Sequence, residues 1–285
     1  MKSLKFKKLQ GIGNDFIIID SREEKLEEIN LKELAISMCD RHFGIGADGL
    51  LIIWPSEKAA VKMQIFNPDG TEPEMCGNGI RCFAKYIFDQ TKPEERKEIL
   101  SVETKAGIKV IAYLLENDEM QGMEVDMGIP ILKRSKIPML GDEKEKVLNE
   151  ALEVEGKTFQ INAVSMGNPH CVIFVDDLET IDLEKIGPQI ETHPIFPQST
   201  NVEFVKINNR QDISVKVWER GAGITLACGT GACACCVAGI LNKLLDTKVL
   251  VHLPGGDLEI EWEKEDNHVV MRGNAEYVFE GAYKI

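Results

Sequence analysis

Short runs of apolar residues bounded by turn residues recur along the whole chain. Runs of this length that are rich in Val, Ile, Phe and Trp are typical of β-strands. They predict strands over residues 16–20, 50–54, 61–66, 108–115, 121–127, 171–175, 202–207, 213–218, 249–253 and 258–262. Residues 254–257, Pro-Gly-Gly-Asp, separate the last two runs and predict a hairpin there.

Three stretches have helical patterns instead. Apolar residues at the i, i+3, i+4, i+7 and i+8 positions of residues 80–88 predict a helix with one buried face, formed by Ile80, Phe83, Ala84, Ile87 and Phe88. Residues 31–38 are also helix-like. Residues 231–241 are small and apolar on every side, which predicts a helix buried all round. Many strands with few helices indicate a mixed α/β fold.

Two polar stretches are expected to separate these elements. Residues 116–119 are a candidate boundary between two halves of the chain. The charged residues 141–157 are expected to form a loop and a surface helix.

A phrase that begins with cysteine occurs twice, as Cys76-Gly77-Asn78-Gly79 and as Cys228-Gly229-Thr230-Gly231. Each copy follows a strand-like run and leads into a helical run. A helix start favours negative charge, so each thiol is expected to be polarised towards thiolate. Two thiols in matching settings suggest a paired acid and base.

The duplication extends beyond the cysteines. When residue 76 is laid on residue 228, Asn67 falls on Glu219 and Gly49 falls on Asn201. A further shift of two residues lays Asn14 near Asn168. Only one period is visible, which indicates two half-molecules and not a solenoid.

Composition limits the kinds of binding partner and the cellular compartment that we expect for this protein. The net charge is -14, and without a basic stretch to neutralise phosphates we expect no nucleic-acid or membrane partner. No apolar run of 18 residues predicts a membrane span. Eight cysteines in 285 residues are too few for a disulfide scaffold, so we expect a reducing, cytoplasmic location and a small-molecule substrate.

Two motifs that would imply a cofactor are rejected. Cys228, Cys233, Cys235 and Cys236 do not form the two C-x2-C pairs of a zinc site, and the last three are expected to be packing residues. Residues 44–49 satisfy G-x-G-x-x-G, but a helix-like stretch precedes them and a strand follows, the reverse of a dinucleotide site. The sequence therefore predicts neither metal nor nucleotide.

The paired thiols suggest a specific reaction. Unpaired N–H groups at two helix starts can bind a carboxylate, while thiols on opposite faces of the adjacent carbon remove and deliver a proton. Two thiols that repel each other in one site are expected to share one proton. A dithiol redox pair and a single nucleophilic cysteine are the alternatives. The first is disfavoured because neither Cys76 nor Cys228 belongs to a C-x-x-C motif, and the second leaves one copy without a role.

At this level of detail the chain resembles the diaminopimelate epimerase family, whose members interconvert LL- and meso-diaminopimelate without a cofactor on the route to lysine and peptidoglycan. The resemblance runs nearly end to end, through residues 11–16, 40–49, 66–70, 76–82, 166–170, 200–204, 218–223 and 227–232. Each phrase alone is weak, but the ordered set is specific.

The resemblance implies two similar, pseudo-twofold-related α/β domains, each a curved mixed sheet around a central helix. The domains expected are residues 1–120 with 274–285, carrying Cys76, and residues 121–273, carrying Cys228. The resemblance also implies a homodimer, with Cys76 as proton donor and Cys228 as proton acceptor.

Further site residues are carried over from the same family pattern. His170 and Glu219 are implied to assist catalysis. The implied substrate contacts are Asn14, Asn67, Gly77, Asn78, Asn168, Asn201, Glu219, Arg220, Gly229 and Thr230. Two departures are visible: Gly49 stands where some members have Gln, and Gln198-Ser199 replaces a frequent Glu-Arg pair.

The closest alternatives are the proline racemases and phenazine-type isomerases, which share the implied fold. Arg220 beside Glu219 and the set of asparagines favour a substrate whose second end is charged, whereas proline would need an apolar lining. A binding protein without catalysis is the alternative from another class, and the two intact cysteines argue against it.

Overall fold

The computed structural model describes residues 3–117, 119–141 and 146–285. Within these residues the chain divides into two compact units, Met1–Val125 with Gly273–Ile285 and Asp126–Arg272. Assignment of the two functional halves to residues 1–120 with 274–285 and to 121–273 stays a prediction. No helix in the described ranges has the length and apolar character needed to span a membrane.

The first unit is built on strands that pack against two helices. Its elements are β1 (Ser3–Gly11), β2 (Asn14–Asp20), α1 (Leu31–Cys39), β3 (Gly49–Trp54), β4 (Val61–Phe66), α2 (Gly77–Gln90), β5 (Ile99–Thr104), β6 (Gly107–Glu116) and most of β7 (Glu119–Gly128). Strands β2 and β3 are parallel, and β1 is antiparallel to β2.

The second unit repeats this plan. Its elements are β8 (Val147–Val154), β9 (Lys157–Ser165), β10 (Pro169–Phe174), α3 (Leu183–Glu191), β11 (Asn201–Asn209), β12 (Asp212–Glu219), β13 (Gly223–Thr225), α4 (Gly229–Leu241), β14 (Lys248–Leu253), β15 (Gly256–Trp262) and most of β16 (Val269–Gly273). The last strand, β17 (Glu276–Lys284), belongs to the first unit, where it pairs with β1.

The repeated register is visible in the strand pairing. In the first unit Phe16 of β2 lies opposite Gly49 of β3. In the second unit His170 of β10 lies opposite Asn201 of β11, in a parallel pair of the same kind. The correspondence inferred from the sequence is therefore confirmed for these two strand pairs.

Burial in the structure confirms the predicted faces of two helices. In α2 the five residues of the predicted apolar face are all buried, with at most 7% of their surface exposed. Helix α4 buries nearly every position from Gly229 to Gly239, including Cys233, Cys235 and Cys236 as packing residues. All ten predicted strands and the hairpin over residues 254–257 are also confirmed.

One expectation was wrong. The stretch 141–157 was expected to contain a surface helix, but residues 147–154 form β8, which pairs with β9 and buries Val147, Leu152 and Val154; residues 142–145 lie outside the described part of the chain.

The candidate boundary at residues 116–119 falls in the β6–β7 hairpin, where Glu116 pairs with Glu119; residue 118 is not described. Its role as a boundary between two functional halves stays a prediction.

Candidate functional site

Cys76 is the residue that caps the start of α2. Its backbone is extended, and its Sγ accepts a hydrogen bond from the backbone N–H of Gly79 at 3.4 Å. Serine, threonine, aspartate and asparagine are the usual residues at this position. A cysteine here is unusual for a helix cap, which favours a role for the thiol in chemistry. The thiol also faces Oδ1 of Asn14, 3.7 Å away, and that oxygen accepts from Asn78 at 3.3 Å.

Asn14 is held in this orientation by a carboxylate that the sequence reasoning did not single out. Its Nδ2 donates to Oδ2 of Asp48 at 2.7 Å, and Asp48 also accepts from Arg41. Asp15 beside them is partly buried, which opposes ionisation, yet hydrogen bonds from Arg41 and Lys8 hold its pKa below the ordinary value. The ordered charges fix the Asn14 amide, so its oxygen points at Cys76.

Cys228 occupies the equivalent place at the start of α4. Its Sγ accepts from the backbone N–H of Gly231 at 3.4 Å and lies 3.5 Å from Oγ1 of Thr230. The side chain is buried, with 4% of its surface exposed, whereas Cys76 is only partly buried. The two thiol clusters therefore share a backbone plan but differ in access to water.

The ionisation expected for a thiol at a helix start is not found at Cys228. Burial raises the pKa of this thiol well above its ordinary value, and the negative charges of Glu219 and Glu203 raise it further. A helix start contributes only about 0.3–1 kcal/mol in favour of the thiolate. Desolvation therefore outweighs the helix and favours the thiol form of Cys228.

Glu219 lies at the end of β12 next to Cys228. Its carboxylate accepts a hydrogen bond of 2.6 Å from the Thr225 hydroxyl. Burial raises the pKa of Glu219, while hydrogen bonds from Thr225 and Cys228 oppose that shift. A carboxyl that is held near a buried thiol and is easier to protonate than usual can exchange a proton with it.

His170 and Asn168 form the rest of the second thiol cluster. The Nε2 atom of His170 lies 3.0 Å from Oδ1 of Asn168, and Nδ2 of Asn168 donates to Oγ1 of Thr230 at 3.3 Å. On its other side His170 contacts Glu203. Glu203 is a second residue that the sequence reasoning missed. Its signal was a single carboxylate inside the apolar run that forms β11.

Three predicted contact residues lie outside these thiol clusters. Asn67 donates to the Thr71 hydroxyl within a turn. Asn201 is buried, donates to the carbonyl of Pro169 and accepts from the backbone N–H of Arg220. The Arg220 guanidinium is exposed and donates to the carbonyl of Gln198, one of the two residues that replace the Glu-Arg pair. Their contact with substrate stays a prediction.

A side chain at the fourth position of each cysteine phrase would meet close neighbours. A Cβ at residue 231 would lie 2.7 Å from Oε1 of Glu203 and 3.2 Å from Sγ of Cys228. At Gly79 it would lie 3.3 Å from Cβ of Cys76. Within the described residues, no group of three His, Cys, Asp or Glu side chains is placed to hold a metal ion.

Known proteins share both the sequence and the fold. A sequence model of the family described as diaminopimelate epimerase matches residues 6–133 and 162–278. The diaminopimelate epimerase of Desulfitobacterium hafniense is 54% identical over 275 residues, covering 96% of each chain. That of Methanococcus maripaludis is 48% identical over 282 residues, covering 99% of this chain and 100% of its own.

The chain belongs to the diaminopimelate epimerase family. This confirms the resemblance stated from the sequence motifs.

Solved structures of more distant proteins have a similar fold. A phenazine biosynthesis protein of the PhzF family from Bacillus anthracis has a TM-score of 0.70 at 17% identity and covers 100% of both chains. A hydroxyproline epimerase from Agrobacterium vitis has a TM-score of 0.71 at 12% identity, covering 99% of this chain and 92% of its own. The predicted mixed α/β fold is confirmed.

Proposed function

We propose that this protein epimerises LL-diaminopimelate to meso-diaminopimelate without a cofactor, as a step towards lysine and peptidoglycan precursors. One observation carries the proposal: in a member of this family, two helices each begin at a cysteine whose sulfur caps the helix. Each thiol thus lies beside peptide N–H groups, which are suited to bind a carboxylate next to the reacting carbon.

The proposed reaction exchanges one proton for another at the α-carbon. Cys228 as thiolate takes the α-proton, and the electron pair of the C–H bond moves towards the substrate carboxylate. N–H groups at the helix start stabilise the charge that develops there. The Cys76 thiol then donates its proton to the opposite face and becomes the thiolate, so the reverse reaction uses the same groups in exchanged roles.

Ionisation of Cys228 has to accompany substrate binding in this scheme, because burial keeps the sulfur protonated beforehand. The substrate brings a positively charged α-ammonium group, and a nearby cation favours the thiolate. Glu219, whose pKa burial raises, is the neighbouring group suited to accept the thiol proton. We propose His170 as the residue that orients this cluster through Asn168.

The direct test compares two substrates. Purified protein is expected to convert LL-diaminopimelate to the meso isomer and to leave L-proline unchanged, as followed by chiral chromatography. Racemisation of L-proline in place of diaminopimelate conversion would favour the proline racemase alternative. No turnover of either substrate, with both thiols free, would favour a binding protein.

Arg220 provides a prediction about the substrate's second charged end. Arg220→Lys is expected to lower kcat/KM for diaminopimelate by about 10- to 100-fold, because an ammonium group cannot reproduce a bidentate contact with a carboxylate. Arg210→Lys is the matched control, since Arg210 is also an exposed arginine of the second unit and pairs with Asp246. Equal kcat/KM values for both variants and the parent would place Arg220 outside the site.

We also propose that the protein acts as a homodimer. Exposed apolar side chains on β17, Tyr277, Val278 and Phe279, are candidates for the contact, with 38–52% of their surface exposed. Light scattering after gel filtration is expected to give a mass of about twice 31.8 kDa. A mass equal to one chain across micromolar concentrations would contradict the dimer.

We also propose a cytoplasmic location. None of the eight cysteines, all of which lie in the described residues, forms a disulfide bond, and a reducing compartment favours this state. The substrate class is consistent with this, since the expected products are biosynthetic precursors.

A further inference from the structure

A histidine–glutamate pair is buried completely in the second unit. Nδ1 of His170 in β10 lies 2.6 Å from Oε1 of Glu203 in β11, and neither side chain is exposed. The second carboxylate oxygen, Oε2 of Glu203, is buried without a hydrogen-bond partner among the described residues. Replacing such a pair by apolar residues is often neutral or stabilising, so stability alone does not account for it.

The first unit shows that the fold does not require this pair. By the repeated strand register, Phe16 of β2 stands in the place of His170 and Leu51 of β3 in the place of Glu203. Both are buried apolar residues. The polar pair is therefore specific to the unit that carries Cys228.

A chain of hydrogen bonds connects the pair to the sulfur. From Nε2 of His170 it runs to Oδ1 of Asn168 over 3.0 Å, from Nδ2 of Asn168 to Oγ1 of Thr230 over 3.3 Å, and from there to Sγ of Cys228 over 3.5 Å. An amide oxygen only accepts and an amide nitrogen only donates. Nε2 must therefore carry a hydrogen, and Thr230, which accepts from Asn168, has its own hydrogen free to donate to the sulfur.

The carboxylate of Glu203 sets this direction. The 2.6 Å approach of Oε1 to Nδ1 needs a hydrogen between these two atoms, because two lone pairs would otherwise face each other. Together with the hydrogen on Nε2, the pair therefore holds two hydrogens, either as imidazole beside a carboxylic acid or as imidazolium beside a carboxylate. Without a partner at Nδ1, either ring nitrogen can carry the hydrogen, and the Asn168 amide can turn in response. The Thr230 hydroxyl would then no longer be committed to Cys228.

We propose that Glu203 is a positioning residue for Cys228: it fixes the hydrogen on Nε2 of His170 and so directs the Thr230 hydroxyl to donate to the sulfur. The proposal rests on the proposed function in that Cys228 is the base. A donor to the sulfur stabilises the thiolate, which opposes the effect of burial on this residue. Glu203 thus acts through three other side chains and has no need to touch substrate.

The other titratable groups that face Cys228 have the opposite effect. Glu219 from β12 raises the pKa of the thiol by its negative charge, and Glu203 does so as a bare charge. Cys235, also on α4, is buried and has a raised pKa. If Glu203 acted only as a charge, its removal would make Cys228 easier to ionise. If it directs the hydrogen-bond chain, its removal makes Cys228 harder to ionise.

The experiment measures ionisation of Cys228 directly. Thiolate absorbance is titrated against pH in a Cys76→Ala background, and the same protein with Cys228→Ser is subtracted. In Glu203→Leu, which introduces the residue found at the equivalent place in the first unit, the Cys228 transition is expected to move to higher pH. In Glu219→Gln, which removes a facing charge, it is expected to move to lower pH.

Glu203→Gln is the conservative variant. Its amide can donate to Nδ1 of His170, which keeps the hydrogen on Nε2 while the negative charge is lost, so the transition is expected to move to lower pH, opposite to the shift in Glu203→Leu. Glu150→Gln, which removes the partner of buried Arg134 in the same unit, is the matched control and is expected to leave the titration unchanged. If Glu203→Leu does not fold, Thr230→Val decides in its place: it removes the donor to the sulfur, so the Cys228 transition is expected to move to higher pH, and an unchanged transition would overturn the proposal.

A double-mutant cycle separates this role from packing. Glu203→Leu is expected to lower kcat/KM about 10- to 100-fold in the parent, as is usual for residues that orient a site histidine, and to have little further effect in Thr230→Val. A Cys228 transition that moves to lower pH or stays unchanged in Glu203→Leu, or additive effects in the cycle, would overturn the proposal. Because the titration needs no substrate, its outcome is independent of whether diaminopimelate is turned over.

Discussion

Replacing either Cys76 or Cys228 by alanine is expected to lower kcat/KM for LL-diaminopimelate by about 10²–10⁴-fold, the usual contribution of a positioned acid or base. Each variant should remain folded. The alanine removes only the sulfur that caps the helix, a loss of about 1 kcal/mol. The measurement is the initial rate of epimerisation, with thermal unfolding as the check on folding.

Serine at each position is the control for the cap. A serine oxygen can accept the hydrogen bond from Gly79 or Gly231, but it does not ionise near neutral pH, so activity should stay low while stability returns. The double alanine variant should be no less active than the worse single variant, because the two thiols act as a unit. Turnover near the parent rate in any single variant would end the two-base scheme.

Much of the fold was predictable because local pattern and burial agree. The apolar face of α2 repeats with the helical period, and most predicted strands are short apolar runs that end up buried. The strand over residues 108–115 is the exception, since Ile108, Val110, Leu114 and Leu115 are exposed. The repeated cysteine phrase was equally informative. A cysteine and two glycines at a helix start leave no bulky side chain between the sulfur and the first peptide N–H groups.

The expectations that failed concern features that are determined by contacts between distant parts of the chain. Residues 147–154 combine apolar residues with Asn149, Glu150 and Glu153, a mixture that suits either a surface helix or a half-buried strand. Pairing with β9 selects the strand. The state of Cys228 was also beyond local reasoning, because the carboxylates that raise its pKa come from β11 and β12, distant in sequence. Glu203 was overlooked because a single charged residue inside an apolar run does not show which side chain it will contact.

The two thiol clusters differ in a way that suits unequal roles. Cys76 is partly exposed and faces the uncharged amide of Asn14, whose oxygen can accept a hydrogen bond from the thiol. Cys228 is buried beside Glu219 and at the end of the hydrogen-bond chain from His170. A thiol that exchanges with solvent before reaction is suited to donate, while a thiol shielded from water is suited to retain the proton it takes.

Epimerisation in D2O is expected to give product that carries deuterium at the inverted centre from the first turnover, while unreacted substrate stays largely protiated. The reason is that a thiol holds a single exchangeable hydrogen. The donor is fully labelled before the substrate binds, and the acceptor holds only the substrate's own proton, which internal return would restore unlabelled. Mass spectrometry of substrate and product at early times measures both fractions.

The single-cysteine variants make the assignment of donor and acceptor testable. In Cys76→Ala the thiolate of Cys228 can still remove the α-proton of the LL isomer and return a deuteron to the same face, so this substrate should gain label slowly without inversion. In Cys228→Ala the label should enter the meso isomer instead, through Cys76. Label appearing in the opposite isomers would reverse the two roles. Parent product that retains substantial protium would point to one base serving both faces and would rule out Cys76 and Cys228 as separate acid and base.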